Sequence, residues 1–112
     1  MRVERELLRG AGPVTVLRLL SQREMYGYEL VQTLDQRTDG VLAMGQSTLY
    51  PLLYGLEAKG LVRGTWRIAA SGRRRKYYAV TAKGAGYLKS RQVQWRRLVA
   101  AMGELGLLGR AR

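Results

Sequence analysis

Neither cysteine nor histidine nor phenylalanine occurs in this 112-residue chain, and proline occurs only twice. Without cysteine there is no disulfide framework and no thiolate nucleophile, which fits a reducing compartment. Without histidine, the usual general base near neutral pH and the commonest metal ligand are both missing. No carboxylate pair sits in a pocket motif either, so enzyme chemistry is disfavoured and neither cofactor nor metal is expected. The opening MRVERELLR lacks the apolar core of a signal peptide, and no run approaches a membrane span. The chain therefore reads as a soluble, cytoplasmic protein with no membrane partner. Its length and 46% hydrophobic residues allow one domain with a real core.

Acidic residues are missing from one long stretch. All eight lie at Glu4, Glu6, Glu24, Glu29, Asp35, Asp39, Glu57 and Glu104, which leaves none between Ala58 and Gly103. That window holds twelve of the 20 basic residues, so the net charge of +12 belongs to one contiguous segment. Solubility alone does not require acids to be excluded over such a length. The asymmetry points to a polyanion, and to nucleic acid ahead of a membrane surface, because no strongly amphipathic apolar face accompanies the arginines.

The stretch Gln46 to Lys59, QSTLYPLLYGLEAK, reads as a helix with Ser47 as its N-cap and Leu49, Leu52, Leu53 and Leu56 as its apolar face. Thr48, Tyr50, Pro51, Tyr54 and Gly55 remain for the outside. An ordinary surface helix carries Glu and Lys there, whereas this face suits a helix whose first turn meets phosphates and base edges. Before it, Arg2 to Arg9 forms a short helical arm, Gly12 and Pro13 open a helix through Ser21, Gln22 to Met25 is a polar break, and YGYELVQTLDQ from Tyr26 is a second helix. Thr38 to Gly45 is a loop.

Beyond Gly60, a helix terminator, the period changes from helical to alternating. Val62, Gly64, Trp66 and Ile68 alternate with Arg63, Thr65 and Arg67 as a half-buried strand, with Trp66 assigned to the core. Ala70, Ser71 and Gly72 turn the chain, and Lys76 to Thr81 returns. Arg73, Arg74, Arg75 and Lys76 then fall at the tip of the hairpin, where four adjacent cations call for an anion. Thr81 caps a last helix from Ala82 to about Leu108, in which Leu88, Trp95, Leu98, Met102 and Leu105 form an apolar seam widened by Val99. Such a helix is roughly 40 Å long, more than so small a domain covers by itself. Its surplus face is most simply buried against a second copy.

The predicted fold class is α+β, mainly α: a winged helix-turn-helix over residues 1–81 and a dimerisation helix over 82–112, together one compact unit. YGYEL at Tyr26 to Leu30, STLYPLLYGLEAKGLV at Ser47 to Val62 and GRRRKYYAVTAKG at Gly72 to Gly84 resemble, in order and spacing, the hallmark blocks of the PadR family of bacterial transcriptional regulators. The single C-terminal helix resembles the family's short branch. Tyr26 stands where histidine is common, and Lys83 where an acid often follows the strand's threonine. The resemblance implies a homodimeric repressor that binds a double-stranded inverted-repeat operator and is released by a small molecule.

Combined with the residue pattern, it assigns Ser47, Thr48, Tyr50, Pro51 and Tyr54 to the major groove, Tyr28 to a phosphate at a helix N-terminus, and Arg73, Arg74 and Lys76 to the backbone or the adjacent minor groove. Leu88, Trp95, Leu98, Val99, Met102 and Leu105 are assigned to the dimer interface. Trp95 either fills that interface or leaves a slot for a planar aromatic effector. A nucleic-acid binder without sequence preference, architectural or RNA-binding, is the alternative that the basic segment alone would satisfy.

Overall fold

The structure is a computed structural model that describes residues 1–109. The last three positions of the predicted 82–112 unit lie outside it. Seven elements follow in order: α1 (Arg5–Gln22), β1 (Met25–Tyr26), α2 (Gly27–Arg37), α3 (Gln46–Ala58), β2 (Val62–Ile68), β3 (Arg74–Val80) and α4 (Ala82–Glu104).

Helix α1 runs straight through Gly12 and Pro13, where the sequence reading had placed a helix start after a separate arm. Pro13 forfeits one backbone hydrogen bond, to Arg9. Apolar burial on both sides offsets it, with Leu8 before the proline and Val16, Leu17, Leu19 and Leu20 after it. Gly12 is buried there against α3, where a Cβ would lie 2.8 Å from Cδ1 of Leu52.

The supposed polar break contains a strand. Met25 and Tyr26 pair antiparallel with Tyr78 and Tyr77 of β3, giving a three-stranded sheet of order β1-β3-β2. Two residues are too few to show alternation in sequence. Helix α2 consequently begins at Gly27, and the Tyr26 N–H ahead of it donates to Oε1 of Glu29, 3.1 Å away. Helix α3 begins one residue before its predicted cap. Gly45 is the N-cap, its carbonyl accepting from the N–H groups of Thr48 and Leu49, and Ser47 sits inside the first turn.

Strands β2 and β3 pair from Val62 opposite Val80 to Ile68 opposite Arg74. The returning strand therefore starts at Arg74, two residues earlier than expected, and the basic run lies mostly along a strand instead of at the tip. Only the root of this wing is buried. Val62 and Tyr78 belong to the core, whereas Trp66 is 57% and Ile68 74% exposed, which overturns the assignment of Trp66 to the core.

The core joins Val16 and Leu17 of α1, Leu30 and Leu34 of α2, Leu49 and Leu53 of α3, Tyr78 of the sheet and Leu88 of α4. Thr81 caps α4 as expected, its Oγ1 accepting from the Gly84 N–H at 3.0 Å. The helix stops at Glu104, four residues short of the predicted end. Gly106, at φ 77°, takes the left-handed conformation, its N–H bonding to Gly103 and that of Leu107 to Met102, a closure that satisfies the last carbonyls. α4 packs on α1, with Leu88 in the core, and the described chain measures 52 × 30 × 23 Å. Among the described residues no helix is long and apolar enough to cross a membrane.

Candidate nucleic-acid interface

Three surfaces of α3 serve different neighbours. Leu49, Leu53 and Leu56 enter the core, while Gln46, Ser47, Pro51 and Tyr54 stand in solvent. Thr48 and Tyr50 are half-buried on the two flanks. Thr48 lines a cleft of about 250 Å³ with Arg2 and Arg5 of the N-terminal segment. Tyr50 faces the other way and leans its phenol on Gly27, where a Cβ would come within 2.6 Å of Cζ. The outer face read from the sequence is thus narrower than predicted, with Ser47, Pro51 and Tyr54 at its centre. Pro51 has no N–H to donate to the Ser47 carbonyl, one turn before it in the exposed first turn.

The four wing cations do four different things. Arg73 is exposed at the turn. Arg74 holds its guanidinium over Trp66, 4.9 Å from the ring centroid, and Arg75 lies over Tyr26 at 4.4 Å. Lys76 turns inward and donates to Oε1 of Glu57 on α3 at 2.9 Å, with the rings of Tyr78 and Tyr54 at 5.3 and 5.9 Å. That hydrogen bond holds the Lys76 ammonium above its ordinary range. Burial pushes the Tyr78 phenol upward in turn. Lys76, expected to follow the DNA backbone or enter the minor groove, is therefore already neutralised, and it joins the wing to α3. On the opposite face of the sheet Arg67 grips Glu24 through both guanidinium nitrogens, Nη2 reaching Oε2 at 2.8 Å, and covers Tyr77 at 4.9 Å. The hydrogen bonds from Arg67 hold the Glu24 carboxyl below the usual carboxylate range.

One concave surface gathers what the sequence scattered. A cleft of about 480 Å³ is lined by Tyr26, Tyr28, Gln46, Tyr50, Arg73 and Arg75. It lies where the N-terminal ends of α2 and α3 come near the wing, and its two arginines make it positive. An anion is the chemistry that this combination holds. Arg75, Tyr26 and Gln46 are not among the residues the sequence assigns to DNA, although Tyr26 stands where the family often has histidine. The signal for Arg75 was the pleat, since alternate residues of β3 reach opposite faces.

The α4 residues divide as well. Leu88 is buried in the core of its own chain, which removes it from the predicted intersubunit seam. Trp95 and Met102 are half-buried, and Leu98, Val99 and Leu105 are exposed. A cleft of about 350 Å³ beside Trp95 is completed by Gly10, Arg91, Gln94 and Leu98.

Comparison with known proteins agrees with this arrangement. Residues 16–90 match the model of the Transcriptional regulator PadR-like family. A PadR family transcriptional regulator from Eggerthella lenta DSM 2243 is 36% identical and superposes with a TM-score of 0.79, over 89% of this chain and 85% of that one. A PadR-like transcriptional regulator from Bacillus cereus, 29% identical, gives the same TM-score over 95% and 99% of the two chains. An uncharacterized protein of Lysinibacillus sphaericus is 31% identical over 93 residues, 83% of this chain and 85% of its own length. The match runs from the core of α1 through the recognition helix and the wing into α4: the chain belongs to the PadR-like family of transcriptional regulators, winged-helix DNA-binding proteins and not enzymes.

Proposed function

We propose that the protein is a homodimeric, sequence-specific repressor that holds an inverted-repeat operator and releases it when a small aromatic molecule enters the dimer interface. The observation that carries the assembly is the uncovered stripe on α4 and its C-cap, where Leu98, Val99 and Leu105 are 48%, 46% and 77% exposed in one chain. A two-fold-related copy covers such a stripe with the same stripe. Two recognition helices then stand at one spacing, the arrangement that reads a palindromic site.

In each half-site Ser47, Thr48, Tyr50, Pro51 and Tyr54 address the major groove. Tyr28 addresses a phosphate at the cleft where α2, α3 and the wing meet. Arg73 and Arg74 engage the flanking backbone and minor groove. The open cleft beside Trp95 supports the slot reading, because a flat apolar molecule there stacks on the indole and alters the spacing of the two wings.

Light scattering tests the assembly. Leu98→Asp places a carboxylate in the seam, and monomers that lose a two-half-site duplex are expected; an unchanged dimer moves the interface elsewhere. A reporter behind the selected operator should fall silent when the protein is expressed, and a rise would make it an activator. With Trp66→Phe leaving Trp95 as the sole indole, planar aromatic dyes should quench emission saturably and loosen the operator complex. Quenching that leaves DNA binding unchanged removes the switch.

A further inference from the structure

An indole more than half exposed near the end of a hairpin needs a reason, because the packing that places tryptophan in a sheet is absent there. Trp66 pairs with Lys76 across the ladder and Ile68 pairs with Arg74, so Trp66 and Arg74 are diagonal neighbours on one face. That face looks toward α3, since Lys76, which shares it, reaches Glu57 and Tyr54. Trp66 and Arg74 also line a cleft of about 230 Å³ together with Tyr54 of α3. Arg74 makes no ion pair and no side-chain hydrogen bond among the described residues. Its one arranged contact is the indole, at 4.9 Å.

We infer that Trp66 is a specificity-determining residue: it holds the Arg74 guanidinium extended along the wing so that the cation enters a narrow minor groove beside the major-groove half-site, and the protein thereby selects A·T-rich flanking DNA that α3 never touches. The inference rests on the reading of the wing as a DNA contact and goes beyond it by giving the wing a sequence preference. The physical reasons are three. An arginine side chain loses considerable rotamer freedom when a ligand orders it, and stacking on an indole orders it beforehand. A guanidinium carries all its N–H donors in its own plane, so an aromatic beneath its face leaves the hydrogen-bonding edge free. A·T tracts narrow the minor groove and deepen its negative potential, which rewards a pre-positioned cation more than a mobile one. Trp66 and Ile68 are exposed on the face of the wing that also carries Arg74, so an apolar surface lies beside a cation. That pairing of apolar surface with positive charge suits sugar edges and phosphates; Arg75 stands on the opposite face.

The test is selection from a library of duplexes with randomised sequence, using the full chain as wild type, Trp66→Leu, Trp66→Tyr and Arg74→Ala. Wild type should enrich a half-site core flanked, about half a helical turn away, by runs of A·T pairs. Trp66→Leu and Arg74→Ala should enrich the same core with the flanks randomised, and Trp66→Tyr, which keeps an aromatic face, should retain them. On the wild-type site Trp66→Leu should bind about 5- to 100-fold more weakly, the cost of ordering one freed arginine side chain in each of two subunits on binding. Equal melting temperatures for wild type and Trp66→Leu exclude a folding explanation. If Trp66→Leu keeps the A·T flanks, Trp66 plays no part in specificity and the inference fails alone. If wild type enriches no core at all, the sequence-specific reading fails with it.

Discussion

Nζ of Lys76, on the wing, lies 2.9 Å from Oε1 of Glu57, on the recognition helix. Through this contact the only acid of α3 holds the wing in place, and a cation that looked available for DNA is used within the protein. Glu57→Gln should lower stability by about 1 kcal/mol, the scale of a partly exposed charged hydrogen bond. Adding Lys76→Met should recover most of the loss, because no unpaired cation then remains beside Tyr54 and Tyr78. Lys76 is raised in the folded state, so its contribution is complete below the unfolded value of about 10.4 and fades only as pH rises through the higher folded one. Thermal melts of the two variants across neutral and alkaline pH check both statements.

Glu24 should make the fold sensitive to acid. Its carboxyl is lowered by the hydrogen bonds from Arg67, so its stabilisation is present above the unfolded value of about 4.3 and is lost as pH falls through the lower folded value. Glu24→Gln should therefore melt below wild type at neutral pH and converge with it toward pH of about 3. A constant difference down to that pH would show that the pair contributes nothing through its charge.

Gly27 should resist any side chain as long as Tyr50 is present. Gly27→Ala drives a methyl into the phenol ring and should destabilise by about 1 to 3 kcal/mol, as overpacking does. In a Tyr50→Ala background the same substitution should be nearly neutral. A double-mutant cycle by urea denaturation measures the coupling, and additive losses would mean that the glycine is required for another reason.

Helix and wing should separate in DNA binding. Arg73→Ala should weaken selected and random duplexes alike and reduce the salt slope by about 1 per subunit, since it removes a phosphate contact. Lys76→Gln, removing a charge already paired, should change that slope much less. Thr48→Ala should chiefly erode the preference for the selected site. Filter-binding or anisotropy titrations at several salt concentrations distinguish these outcomes.

The chain's charge asymmetry, the helical leucine spacing of α3, the alternation of Val62 to Ile68 and the capping threonine at Thr81 made the winged fold and its polyanionic partner legible from sequence, because each is a local pattern repeated over several residues. What sequence did not decide depends on neighbours distant in the chain. The strand at Met25–Tyr26 exists only because β3 offers it hydrogen bonds, and Pro13 stays inside a helix because Leu8 finds the core. Alternation placed Trp66 on the same face as Val62, but that face leaves the body after Gly64, so burial ends while the period continues. Likewise four consecutive cations are equivalent as letters. The pleat of β3 and the positions of Glu57, Trp66 and Tyr26 give Lys76 a carboxylate, Arg74 an indole and Arg75 a phenol, because side-chain partners are chosen by tertiary proximity, which no local period encodes.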